Sequence, residues 1–138
     1  MVIKVGVMLR RLLILSVLIL SSYGLFGQSS QSSVIEATQS PSAQYRLFRT
    51  TNMWTFIKLD TITGKIWQVQ YDTQGDSRGS IILNSQDLAS GKNKISGRFT
   101  LYSTQNMWTF ILIDQIDGNM WQVQWSQDRG NRLVIPIE

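Results

Sequence analysis

Cysteine and histidine are both missing from this 138-residue chain, and their absence removes much chemistry at once. It excludes the common zinc sites, a disulfide framework, Cys or Ser–His nucleophiles and imidazole acid–base steps. Charge is scarce as well, with Asp, Glu, Lys and Arg making up 16% of the residues. The formal net charge of +4 looks like the mark of an anionic partner, but Lys4, Arg10 and Arg11 supply three of the positive charges. From Gln28 onward ten basic residues face nine acidic ones. That is no electrostatic footprint for nucleic acid, and no nucleic-acid partner is expected.

What is present begins with an export signal over residues 1–27. A basic region ends at Arg10-Arg11, an apolar run extends from Leu12 to Leu20, and Ser21, Ser22, Gly24 and Gly27 offer cleavage points after Gly24 or Gly27. Nine apolar residues make about 14 Å of helix, short of the roughly 30 Å of a bilayer core, so no stable membrane span is expected once the signal is removed. An uncleaved anchor is the competing reading. Without cysteine, a lipid-anchored bacterial form is excluded. The expected location is periplasmic or extracellular. Residues 28–44 are rich in Ser and Gln and poor in bulky apolar side chains, the composition of a flexible tether.

The rest, 45–138, is one unit written twice. Residues 45–73 align without gaps on 99–127 at an offset of 54, with 15 of 29 positions identical. Asn52-Met53-Trp54-Thr55-Phe56-Ile57 recurs as Asn106-Met107-Trp108-Thr109-Phe110-Ile111, and Trp67-Gln68-Val69-Gln70 as Trp121-Gln122-Val123-Gln124. All twelve aromatics after the signal fall into six matched pairs. Repeat one covers 45–84, a linker 85–96 with room for one helical turn, and repeat two 97–138. Runs rich in Trp, Phe, Ile, Val and Thr, broken by Asn and by Asp-x-x-x-Gly, predict strands near 45–49, 53–60, 65–71, 80–83, 99–103, 107–114, 119–125 and 132–137. The class is all-β, two pseudo-symmetric antiparallel meanders in one small sandwich or barrel-like domain.

Asn52, Asp60, Asn106 and Asp114 are expected to organise turns, and Gly64 and Gly118 to take the left-handed position of a three-residue hairpin loop. With that loop, Leu59, Ile57 and Thr55 pair with Trp67, Val69 and Tyr71 on a core face. The opposite face then gathers Trp54 and Phe56 beside Gln68 and Gln70, and Trp108 and Phe110 beside Gln122 and Gln124. A four-residue loop would mix these sets. An aromatic and amide surface of this kind can stack on sugar rings, grip an extended peptide or dock a protein. The alternative is that it packs against the other repeat, since exposing it whole would leave a large apolar patch.

Leu59-Asp60-Thr61-Ile62-Thr63-Gly64-Lys65-Ile66-Trp67 resembles the Asp-x-x-Thr-Gly-Lys…Trp hairpin of quinoprotein-type β-propeller blades. It has two residues rather than three between Gly and Trp, and one chain holds two copies where a propeller needs at least four blades. The resemblance therefore implies no quinone cofactor. Residues 45–138 as a whole are similar to small exported bacterial proteins that repeat Asn-x-Trp-Thr-Phe-x-x-(Leu/Ile)-Asp-x-x-x-Gly-x-x-Trp-Gln-Val-Gln. That likeness implies export and architecture, and no activity.

No catalytic constellation emerges. Asp60 and Asp114 are the only acids shared by both copies, and both sit at turns rather than across a cleft. Neither a calcium loop nor a phosphate loop is written in the chain. No metal and no cofactor are expected, and the protein is not expected to be an enzyme. The leading expectation is a non-catalytic binding module for a protein, peptide or glycan. The alternatives are an assembly protein whose aromatic face is buried in a homo-oligomer, and a small inhibitor acting through loop 72–80 or 126–131.

Overall fold

The computed structural model describes residues 39–138; the export signal expected at 1–27 and residues 28–38 of the Ser/Gln-rich segment lie outside the described residues. The elements are β1 (Tyr45–Arg49), β2 (Thr55–Asp60), β3 (Ile66–Gln70), β4 (Gly79–Asn84), β5 (Phe99–Ser103), β6 (Thr109–Asp114), β7 (Met120–Gln124) and β8 (Leu133–Ile137), with one turn of 3-10 helix at Arg129–Asn131. They make two separate four-stranded antiparallel sheets, each ordered as the chain runs, β1-β2-β3-β4 and β5-β6-β7-β8. The linker forms hydrogen-bonded turns, Ser90 N–H to the Asp87 carbonyl and Lys92 N–H to that of Ala89, and no helix.

The central hairpins have a loop one residue longer than the three-residue loop expected from apolar patterning. Asp60 N–H donates to the Lys65 carbonyl and Gly64 N–H to the Asp60 carbonyl, both at 2.9 Å, which leaves a four-residue loop at 61–64. The Asp60 carboxylate helps to fix this loop, accepting from Ile62 N–H at 3.0 Å and from the Thr63 hydroxyl at 2.8 Å. Gly64 takes φ +74°, a conformation costly for any residue with a Cβ. The register is therefore Phe56 opposite Val69 and Ile57 opposite Gln68, with Phe110 opposite Val123 and Ile111 opposite Gln122 in the second sheet. A one-residue slip moves every side chain of one strand to the other face. Gln68 and Gln70 thus share a face with Ile57, and Trp67 and Val69 with Phe56, which corrects the core and aromatic–amide faces drawn from the pattern.

Each sheet can now be given a front, the face of Ile57 or its repeat Ile111, and a back, the face of Phe56 or Phe110. In the first sheet the front is buried: Thr55, Ile57, Leu59, Ile66 and Gln68 are all at most 1% exposed. In the second sheet the back is buried, with Phe99, Leu112, Val123 and Trp125 at 0% and Phe110 at 4%. The alternation along β2 is the reverse of that along β6. The front of the first sheet packs on the back of the second, and together these residues form one core, with Leu83, Leu88, Trp121 and Val134 around it. Each fully buried Ile, Leu or Phe contributes about 1.5–3 kcal/mol relative to exposure.

The chain enters the second sheet through the first hairpin. Thr61, fully buried, accepts Phe99 N–H at its carbonyl (2.9 Å) and Gly97 N–H at its hydroxyl (2.9 Å), while that hydroxyl donates to the Ala43 carbonyl (2.8 Å). The outer strands are not left bare. The side chain of Gln39 holds both the N–H and the carbonyl of Leu47 at 2.6 Å, filling part of the free edge of β1, and Pro136 interrupts the donors of β8.

Candidate functional site

At one end of both sheets the connections β1–β2 and β5–β6 form the same tip. Thr50 donates its hydroxyl to the carbonyls of Asn52 (3.0 Å) and Thr55 (2.9 Å), and accepts Asn52 N–H at 3.1 Å. Asn52 in turn accepts Trp54 N–H at its Oδ1, 2.8 Å away. Thr104, Asn106 and Trp108 repeat every one of these bonds within 0.3 Å. With Asn Oδ1 committed to the turn, the carboxamide NH2 is the donor half of each tip. Met53 and Met107 stand exposed on these tips, and Trp54 and Trp108 are each 38% exposed. Behind them Trp54 leans on Tyr71 (centroids 5.4 Å apart) and Trp108 on Trp125 (4.7 Å). The Trp125 indole N–H donates to the Met107 carbonyl at 3.1 Å.

Beside the second tip lies a crevice of about 270 Å³ between the repeats. Ser103, Thr104, Asn106, Met107, Thr109 and Phe110 line one side; Arg49, Thr50 and Thr51 of the first repeat line the other. Beside the first tip a hollow of about 230 Å³ is lined by Arg49, Thr50, Asn52, Met53, Thr55, Phe56 and Tyr71. Apart from Tyr71, these are the same positions 54 residues earlier, with no second wall. No acidic residue lines either space. A wider hollow of about 440 Å³ at the outer rim is lined by Ile81, Ile82, Leu83, Arg129 and Arg132, with Arg132 already bonded to the carbonyls of Ser126 and Gln127.

The eight residues drawn from the sequence as one aromatic–amide face do not come together. Trp54 and Phe56 lie on the open back of the first sheet. Gln68 is 1% exposed in the core, with Gln70 on the same side. Phe110 is the buried floor of the crevice, and Trp108 caps its tip. Gln122 and Gln124 lie on the open front of the second sheet, where Gln124 donates to the Asn131 carbonyl at 2.9 Å. Thr50, Ser103, Thr104 and Met107 were not singled out from the sequence, although the identical Thr-x-Asn-Met-Trp of both copies marked three of these positions.

Charge is organised at the opposite end, around the turn aspartates. Asp114, fully buried, accepts Ile116 N–H and Asp117 N–H on one oxygen and the Arg98 guanidinium on the other, at 2.7 and 3.1 Å. Arg98 also reaches Asp117 at 2.6 Å and the Asn93 carbonyl at 2.8 Å, and Lys92 pairs with Asp117 at 2.6 Å. Burial pushes the Asp114 carboxyl upward, but the Arg98 hydrogen bonds and the two backbone N–H groups outweigh it and hold the group below the usual carboxylate range. The Asp114 hydrogen bond likewise raises Arg98 above its ordinary value. In the first repeat Gln44 and Thr63 occupy the places of Arg98 and Asp117, and this cluster has no counterpart. Among the described residues no group of three or more metal-ligating side chains converges, and no helix is long and apolar enough to cross a membrane.

Compared with protein-family models, curated proteins and solved structures, the chain matches none.

Proposed function

We propose that this is an exported, non-catalytic binding protein whose ligand site is the crevice between the two Thr-x-Asn-Met-Trp tips, and that the ligand is an uncharged glycan. The observation that carries the proposal is the make-up of that crevice. Ser103, Thr104, Thr109, Thr50, Thr51 and Asn106 surround an apolar floor made by Phe110, with Met107 and Arg49 also in the lining. The Thr50 and Thr104 hydroxyls are held within their own tips, which leaves Ser103, Thr51 and the Asn106 amide to meet a ligand. A sugar presents the matching set, hydroxyls around its rim and C–H groups on its faces. At about 270 Å³ the space lies just below the range of drug-sized pockets, which fits one sugar residue of a longer chain.

The test is a titration of neutral oligosaccharides followed by Trp fluorescence, because Trp108 and Trp125 adjoin the crevice. A saturable change, lost when Ser103→Trp fills the space from an exposed position, is the expected result. Binding that survives Ser103→Trp, or no response to any neutral glycan while an extended peptide binds, would overturn the reading.

A further inference from the structure

Two sheets related by a sequence repeat can pack in two ways. If they buried the same face, the association would be symmetric and finished. Here they bury opposite faces, front on back, so each sheet covers its neighbour without being covered in the same way itself. The stack therefore ends in two open faces of opposite kind, the back of the first sheet and the front of the second. Leu47 and Ile82 are 44% and 57% exposed on one; Met120 and Ile135 are 39% and 47% exposed on the other.

Each open face repeats part of a face already in the core. On the open front, Thr109, Ile111, Gln122 and Gln124 repeat Thr55, Ile57, Gln68 and Gln70 unchanged. On the open back, Leu47, Phe56, Trp67 and Val69 repeat Leu101, Phe110, Trp121 and Val123 unchanged. The strand registers that present them are also the same in both sheets. The surface that fits the open back is thus the surface the second sheet leaves open. The crevices follow the same logic, since the first tip has every lining position of the second except the wall that a preceding sheet supplies.

We infer that copies of this chain associate head to tail, the open front of one copy's second sheet on the open back of the next copy's first sheet, and close into a ring. Unlike faces in contact make a heterologous interface, which closes or grows without limit. Stacked four-stranded antiparallel meanders close at about four to eight sheets, which for two sheets per chain means about two to four copies. Each junction repeats the internal one and supplies the missing wall of the first tip's crevice. Several positions depart from the repeat. On the open front Tyr102, Ile113 and Met120 stand where the core has Phe48, Leu59 and Ile66. On the open back Arg49 and Tyr71 replace Ser103 and Trp125, and Lys58 stands where the core has Leu112. The Lys58 ammonium lies 4.2 Å from the centre of the Trp67 ring, its apolar stem lying along the face. The inference does not depend on a ligand in the crevice.

The experiment is the mass of the exported chain by light scattering across a concentration series, with two single exchanges at exposed apolar positions, Leu47→Lys on the open back and Met120→Lys on the open front. The wild type is expected as one discrete species of two to four copies, and each variant as a folded monomer by circular dichroism. Mixing the two variants should give a dimer, because the intact front of the Leu47→Lys chain meets the intact back of the Met120→Lys chain. Lys58→Leu should lower the concentration at which the ring dissociates by tenfold or more. A monomeric wild type, an open filament, a dimer formed by either variant alone, or a mixture that stays monomeric would each overturn the inference.

Discussion

At the scale of single residues, the most informative side chain is Gln68. It is 1% exposed, and neither its amide nitrogen nor its oxygen has a hydrogen-bond partner among the described residues. A buried polar group in that position forfeits its hydration with nothing in exchange, and an apolar side chain of similar shape removes the loss. Gln68→Met is expected to raise stability by about 1 kcal/mol in urea unfolding, and a fall of that size would show that the amide is satisfied. Asp114 gives the opposite case. Its carboxyl is held below the usual carboxylate range in the folded chain, so its contribution is present at neutral pH and is lost as pH falls through the unfolded value toward the lowered folded one. The loss should begin below about pH 5. Asp114→Asn should lower the melting temperature at pH 7 far more than Asp60→Asn, and should weaken the dependence of stability on acid. Equal effects of the two exchanges would remove Arg98 from the account.

At the scale of strands, the two repeats separate chemistry from placement. Ile57 and Ile111 are the same residue at the same repeat position in strands of the same length, yet Ile57 is fully buried and Ile111 only half-buried. Ile57→Ala is expected to cost about 2–5 kcal/mol, the range for a truncation in a packed core. Ile111→Ala, measured at concentrations where the chain is monomeric, is expected to cost less than about 1 kcal/mol. Val123→Ala and Val69→Ala should show the reverse order, with the second repeat now the sensitive one. Equal costs within either pair would contradict the front-on-back packing. The strands themselves were legible from residue types alone: Trp, Phe, Ile, Val and Thr runs ended by Asn and by Asp-x-x-x-Gly lie within two residues of all eight observed strands. The register was not legible, because the pattern argument assumes that a strand has one apolar face. In a stack of repeats both faces must be able to pack, so Trp67 and Ile66 carry equal weight and the alternation cannot choose between them.

At the scale of the whole molecule, neither sheet has a core of its own. Phe110, Val123 and Trp125 share one core cluster with Ile57, Leu59 and Ile66 of the other repeat, and a sheet must bury its apolar face against another layer. Repeat two made alone, as residues 91–138, should therefore show β structure only as its concentration rises and copies stack. A folded monomer of that fragment would mean that stacking is not what holds the sheets.

The amino-acid sequence by itself determined the duplication, the strands and the turn positions of Asn52, Asp60, Asn106 and Asp114, because these depend on neighbours close in the chain. Tertiary structure alone decided which face each repeat buries, that Gln68 is hidden while Gln122 is half-exposed, and that two tips 54 residues apart share one crevice. Residues identical in both repeats carry similar local preferences, so their different fates follow from what packs against each sheet. That neighbour lies on the front of one sheet and on the back of the other.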